Sequence, residues 1–120
     1  MKNLVVNIGL NVGNVEPKHQ LILTVDVLAH LFNFRFEDWR IHKGQWQDDE
    51  GDIIEERVYA VQINVGNLTI VAINNILEAV CEGLNQEAIA FKLNGVGHVV
   101  YNSGYKGERF EFNSGYFKEV

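Results

Sequence analysis

Apolar and polar residues alternate at Leu4, Val6 and Ile8, and again at Tyr59, Val61 and Ile63. A period of two marks a strand with one buried face. Both runs lead into the same five-residue pattern: Leu10-Asn11-Val12-Gly13-Asn14 returns 53 residues on as Ile63-Asn64-Val65-Gly66-Asn67. Each copy precedes a stretch of helical period. The first runs from about Glu16 to Phe32, with Pro17 near its start, where the missing N–H costs nothing. Leu21, Val25, Leu28 and Phe32 form its stripe. Ala29 and Leu31 widen the stripe, which predicts burial over much of the helix's girth. The second runs from about Leu68 to Glu82, with Asn67 or Thr69 as N-cap and Gly83 as the C-terminal stop. Its stripe is Ile73, Ile76, Leu77, Val80 and Leu84. Each helix leads to a further strand, Trp39-Arg40-Ile41 in the first half and Phe91-Lys92-Leu93 in the second.

Between the halves, Phe36–Trp46 and Ile53–Asn64 flank the polar tip Asp48-Asp49-Glu50-Gly51-Asp52, the pattern of a long β-hairpin. The order β-α-β-β-α-β predicts an α+β fold, a ferredoxin-like split-βαβ sandwich with an antiparallel sheet and both helices on one face. Residues 1–101 make this single domain. Asn94-Gly95 then turns the chain into a short strand at His98-Val99-Val100-Tyr101. Residues 102–120 are an extension rich in glycine and aromatics, read either as a C-terminal β-hairpin on the sheet or as an arm reaching another chain. Tyr101, Tyr105, Phe110, Phe112, Tyr116 and Phe117 are its candidate oligomerisation residues, because aromatic arms bury large areas when they dock.

Composition narrows the class. The chain is 120 residues long, 47% hydrophobic and 22% charged, which suits one folded domain and excludes general disorder. A net charge of −6 gives no basic footprint for nucleic acid or anionic membranes. No apolar stretch approaches the roughly 18 residues of a membrane helix. Met1-Lys2-Asn3-Leu4 runs straight into the first strand, which predicts no secretory leader. The single cysteine, Cys81, favours a reducing compartment, so a cytoplasmic protein is expected.

Candidate chemistry is sparse. The twin Asn-x-Gly-Asn loops sit where strands give way to helices, as anion-binding loops do. In a split βαβ fold, however, they fall at opposite ends of antiparallel strands and cannot share a ligand. Tight turns with Asn capping the helix are the simpler expectation. If the apolar strand positions, Trp39 and Ile41 among them, face the helices, alternation collects Asn7, Arg40, His42, Gln62 and Lys92 on the opposite face. That set is the candidate ligand site, suited to an anionic small molecule, with His42 as its one imidazole. His19, Asp26 and His30 share one side of the first helix. Their i, i+7 and i+11 spacing does not converge on one ion, so no metal site is expected. Asp48, Asp49, Glu50, Asp52, Glu55 and Glu56 depart from the calcium-loop pattern and read as a solvated hairpin tip. Cys81 lies mid-helix, the setting of a structural thiol. No nucleophile motif or triad assembles, and no cofactor pattern occurs.

Gly44-Gln45-Trp46, then Gly51-Asp52-Ile53-Ile54-Glu55 and its alternating strand, resemble a family of small uncharacterised bacterial domains with a Gly-x-Trp…Gly-x-Ile/Val-x-Glu hairpin. Gln86-Glu87-Ala88-Ile89 is similar too, and the likeness covers residues 4–101. It implies the fold and carries no activity. The expected function is a non-enzymatic module, self-associating, that binds a small molecule or a protein partner. Its compact acidic composition is that of phage and mobile-element accessory proteins. The alternative is a small cofactor-independent enzyme with His42 as acid or base and Arg40 as anion anchor.

Overall fold

Alternating apolar residues build three central strands: β1 (Lys2–Gly9), β3 (Ile53–Gly66) and β4 (Ala88–Leu93). The structure is a computed structural model that describes residues 2–32, 38–47, 50–104 and 118–119. The other elements are α1 (Gln20–Phe32), β2 (Asp38–Gln47), α2 (Ile70–Gly83), β5 (Val96–Tyr101) and β6 (Lys118–Glu119). The sheet order is β5-β4-β1-β3-β2-β6 with antiparallel neighbours. Its centre, β4-β1-β3-β2, is the ferredoxin-like arrangement expected from the repeat. Leu4, Val6, Ile8, Tyr59, Val61, Ile63, Ile89 and Phe91 form the sheet side of the core. Leu28, Phe32, Ile73, Leu77 and Val80 cover them from the helices.

Several local expectations shift. α1 begins at Gln20, after a turn through Pro17, Lys18 and His19, and not at Glu16. Its buried residues are Gln20, Thr24, Leu28 and Phe32, while Leu21 and Val25 are only partly covered. Ile22, Leu23 and Leu31 are exposed, so the helix is not buried over most of its girth. The polar pair turns inward because its hydrogen bonds are met there. Gln20 Nε2 donates to the Leu84 carbonyl at 3.3 Å, tying α1 to the end of α2, and Thr24 Oγ1 donates to the Gln20 carbonyl at 2.8 Å. Thr69 is the N-cap of α2, its hydroxyl accepting from the Ala72 N–H at 3.1 Å. The left-handed residue that ends α2 is Asn85 (φ 57°), two positions beyond Gly83.

Trp39 lies on the helix side by register, opposite Val61, yet is 58% exposed. The core draws on β1, β3, β4 and β5, and β2 reaches only its fringe through Ile41. Among the described residues no helix covers Trp39, which leans on Tyr59, ring centroids 6.0 Å apart. Asn94 (φ 50°) and Gly95 (φ 83°) make the two-residue turn into β5. Beyond it, β6 pairs with Gly44 and Gln45 of β2 in the same chain. Tyr101 is buried at the end of β5, and Tyr105, Phe110, Phe112, Tyr116 and Phe117 lie outside the described residues.

Candidate functional site

The hairpin of β2 and β3 runs on past the end of β1, because Gly9 pairs with Val58 while β3 begins five residues earlier, at Ile53. On the helix-free face this leaves a ledge beside the end of β1. Glu56, paired with Gly44, stands on that ledge and folds back over Gly9. A β-carbon at position 9 would collide with the Glu56 carboxylate, so glycine is what lets the acid lie down there. The Asn11 backbone N–H donates to Glu56 Oε2 at 3.0 Å. Asn11 is held in turn by Gln86, whose Nε2 donates to the Asn11 carbonyl at 2.8 Å from a nearly buried position.

These groups line an open cleft with Trp46, Asn85 and Glu87. Trp46 is two positions from Gly44 on the same face and lines the same cleft as Glu56. Burial pushes the Glu56 carboxyl above its ordinary value; the Asn11 N–H opposes the rise and the Glu16 charge adds to it. Glu16 itself is held low by Arg57, which grips it with two hydrogen bonds of 2.9 and 2.8 Å. The described lining of the cleft thus holds carboxylates, amides and an indole, and no cationic side chain. It suits a ligand rich in hydrogen-bond donors or carrying positive charge.

The five residues expected on the open face all lie on it. Arg40 and Asn7 flank Ala60, Gln62 lies opposite Val5, Lys92 opposite Val5 from the other side, and His42 opposite Val58. Asn7, Arg40 and Gln62 line one shallow depression with Asp38, while His42 and Lys92 fall outside it. Among the described residues no group of three metal-ligating side chains converges, and Asp26, His30 and His19 are exposed. Of the four asparagines in the twin loops, Asn67 does not cap α2, whose N-cap is Thr69. Asn64 Oδ1 closes its own turn on the Gly66 N–H at 3.0 Å, whereas Asn11 works at long range on β3 and the loop after α2. The Cys81 thiol is buried and pushed up to about 12, the state of a structural thiol.

No family model and no curated protein sequence matches this chain. Two solved structures do. A phage SAM lyase in complex with S-methyl-5'-thioadenosine shares 14% identity at a TM-score of 0.63, covering 88% of this chain and 92% of its own. A phage SAM lyase in the apo state shares 15% at a TM-score of 0.57, with the same coverage. The likeness is one of fold.

Sequence reasoning missed Glu56 by placing it in the solvated hairpin tip. Its neighbour Glu55 does behave that way, exposed and bonded by Gln45 Nε2 at 3.2 Å. The signal that separates the two is parity. Glu56 sits an even number of residues from Val58 and Ala60, on the open face, and the strand-ending Gly9 lies diagonal to it. Trp46 was visible as part of the hairpin motif but had no role assigned.

Among the described residues no helix is long and apolar enough to cross a membrane.

Proposed function

We propose that this chain is a phage-type enzyme that binds S-adenosylmethionine in the Glu56 cleft and cleaves it to S-methyl-5'-thioadenosine. The observation that carries the reading is the Glu56 carboxylate, laid over Gly9 in a cleft whose described lining holds Trp46 and no cationic side chain, on a fold shared with SAM lyases. A half-buried carboxylate of this kind accepts ribose hydroxyls, as acids at nucleotide sites do. Trp46 offers a face on which adenine stacks. The negative charge of Glu56 also favours the cationic sulfonium substrate over the neutral thioether product, so binding and release follow from one group.

The chemistry asks little of the protein. When the bond from sulfur to the four-carbon amino-acid chain breaks, its electron pair goes to sulfur and the thioether leaves neutral. The carbon left behind is taken by the ligand's own carboxylate oxygen, which closes a lactone with no proton transferred. The cleft's task is then to hold nucleoside and chain in place. His42 is not needed as acid or base in this scheme.

Incubating the chain with S-adenosylmethionine and following S-methyl-5'-thioadenosine by mass spectrometry tests the reading. Wild type should release it, and Glu56→Gln should lower kcat/KM by roughly tenfold or more, a loss of about 1.4 kcal/mol. Binding without turnover would return the non-enzymatic module. Absence of both would remove the reading. Native mass spectrometry of the same samples would count the subunits of any assembly made by the aromatic tail.

A further inference from the structure

The open face carries a second, shallower depression in the middle of the sheet. Its floor is Ala60, with Arg40 directly across on β2 and Asn7 directly across on β1. The next row up adds Gln62 and, opposite it, Asp38. A lone methyl group between long polar side chains opens the hollow, since any larger residue at position 60 would fill it. Its described lining carries one guanidinium, one carboxylate and two amides beside Val5, Trp39 and Val61. A ligand of single charge would be attracted by one of the charged pair and repelled by the other. An α-amino-acid head, with carboxylate and ammonium on one carbon, satisfies both.

We infer that this depression is a subsite for the zwitterionic amino-acid head of a ligand. Arg40 takes the carboxylate, Asp38 the ammonium, and the Asn7 and Gln62 amides the hydrogen bonds that remain. The identity of the ligand's other end rests on the reading of the Glu56 cleft. Ala60 stands four positions along β3 from Glu56, about 13 Å at the rise of a strand. Gly9 and Val58 lie in the row between, on the same face. With the Glu56 carboxylate folded back over Gly9, one row of the sheet separates it from Ala60, so an adenosyl amino acid with its nucleoside at Glu56 brings its head over Ala60. The acidic member of the set refines the expectation of an anionic ligand, because Asp38 stands within the hollow that Arg40 borders.

S-adenosylhomocysteine and S-methyl-5'-thioadenosine carry the same nucleoside and a neutral sulfur, and only the first has the amino-acid head. Calorimetry on the full chain should show S-adenosylhomocysteine binding roughly tenfold or more tightly than S-methyl-5'-thioadenosine. Arg40→Leu, and separately Asp38→Asn, should erase that difference and leave the affinity for S-methyl-5'-thioadenosine unchanged. Both positions are exposed, so the variants should melt with wild type. Equal affinities in wild type, or a variant that weakens both ligands alike, would overturn the subsite. Failure of both ligands to bind would instead remove the cleft reading. In that case an NMR titration with L-methionine decides the subsite: shifts at the Ala60 and Asn7 amides that vanish in Arg40→Leu uphold it, and their absence ends it.

Discussion

The carboxylate of Glu56 occupies the space that a side chain on Gly9 would need, so an acid on β3 and a glycine on β1 are fitted to one another across the sheet. Alanine at position 9 should push the carboxylate aside. The displaced group is the mobile end of a side chain, so stability should fall little, by about 1 kcal/mol or less. Ligand affinity should fall by about tenfold or more. Parallel melting and binding measurements on Gly9→Ala check the separation. A large stability loss with intact binding would contradict it.

Burial raises the Glu56 carboxyl, and the pH dependence of folding follows with a definite sign. Between the ordinary carboxylate value of 4.5 and the raised one, the folded chain holds a proton that the unfolded chain has released. This group's contribution to stability therefore falls as pH climbs through that window and levels off above it. Glu56→Gln should remove this slope and raise the melting temperature at neutral pH. Thermal denaturation of both proteins from acid to neutral pH reads the effect. Ligand binding should run the opposite way in wild type, strengthening as Glu56 ionises.

Glu16 titrates in the other direction. Arg57 holds its carboxyl low, so the ion pair contributes stability above the ordinary carboxylate value and loses it as pH falls through the lowered one. Both side chains are partly exposed, at 30% for Glu16 and 49% for Arg57. A double-mutant cycle with Glu16→Gln and Arg57→Met should give a coupling of about 0.5–1 kcal/mol that shrinks in high salt.

Gln86→Leu should destabilise the chain by about 1–3 kcal/mol, because it strips the Asn11 carbonyl of a buried donor. It should also weaken ligand binding more than the stability loss alone explains, since the Asn11 N–H that holds Glu56 moves with its loop. Gln86→Glu offers an acceptor where a donor is required and should not restore the wild type. Denaturant unfolding and calorimetry on both variants check the pair.

The fold was legible because the repeat and the two periodicities agree at every level. Strands at Leu4–Ile8 and Tyr59–Ile63, the hairpin, and α2 with Thr69 at its start all lie where the pattern puts them. Legibility failed where burial depends on what stands opposite. The inward turn of Gln20 and Thr24 in α1 needs the carbonyl of Leu84 at the end of another helix. Trp39 follows its alternation correctly and is still uncovered, because helix coverage is a property of the layer and not of the strand. The open-face set was found by parity alone. Glu56 was not, because it stands at the end of a run of acids and only the register with Gly9 sets it apart.

The two copies of Asn-x-Gly-Asn show how far duplicated letters can part. At Asn64 the side-chain oxygen accepts from a neighbour two residues on, the Gly66 N–H. At Asn11 the same residue type bonds across the fold, to Glu55 on one side and Gln86 on the other, and its amide steadies Glu56. Because β1 and β3 run in opposite directions, the copies sit at opposite poles of the sheet. The pole that carries Asn11 is the one whose turn amide holds an acid, so a change that freed the Asn11 N–H from Glu56 would leave the repeated letters intact and loosen the cleft.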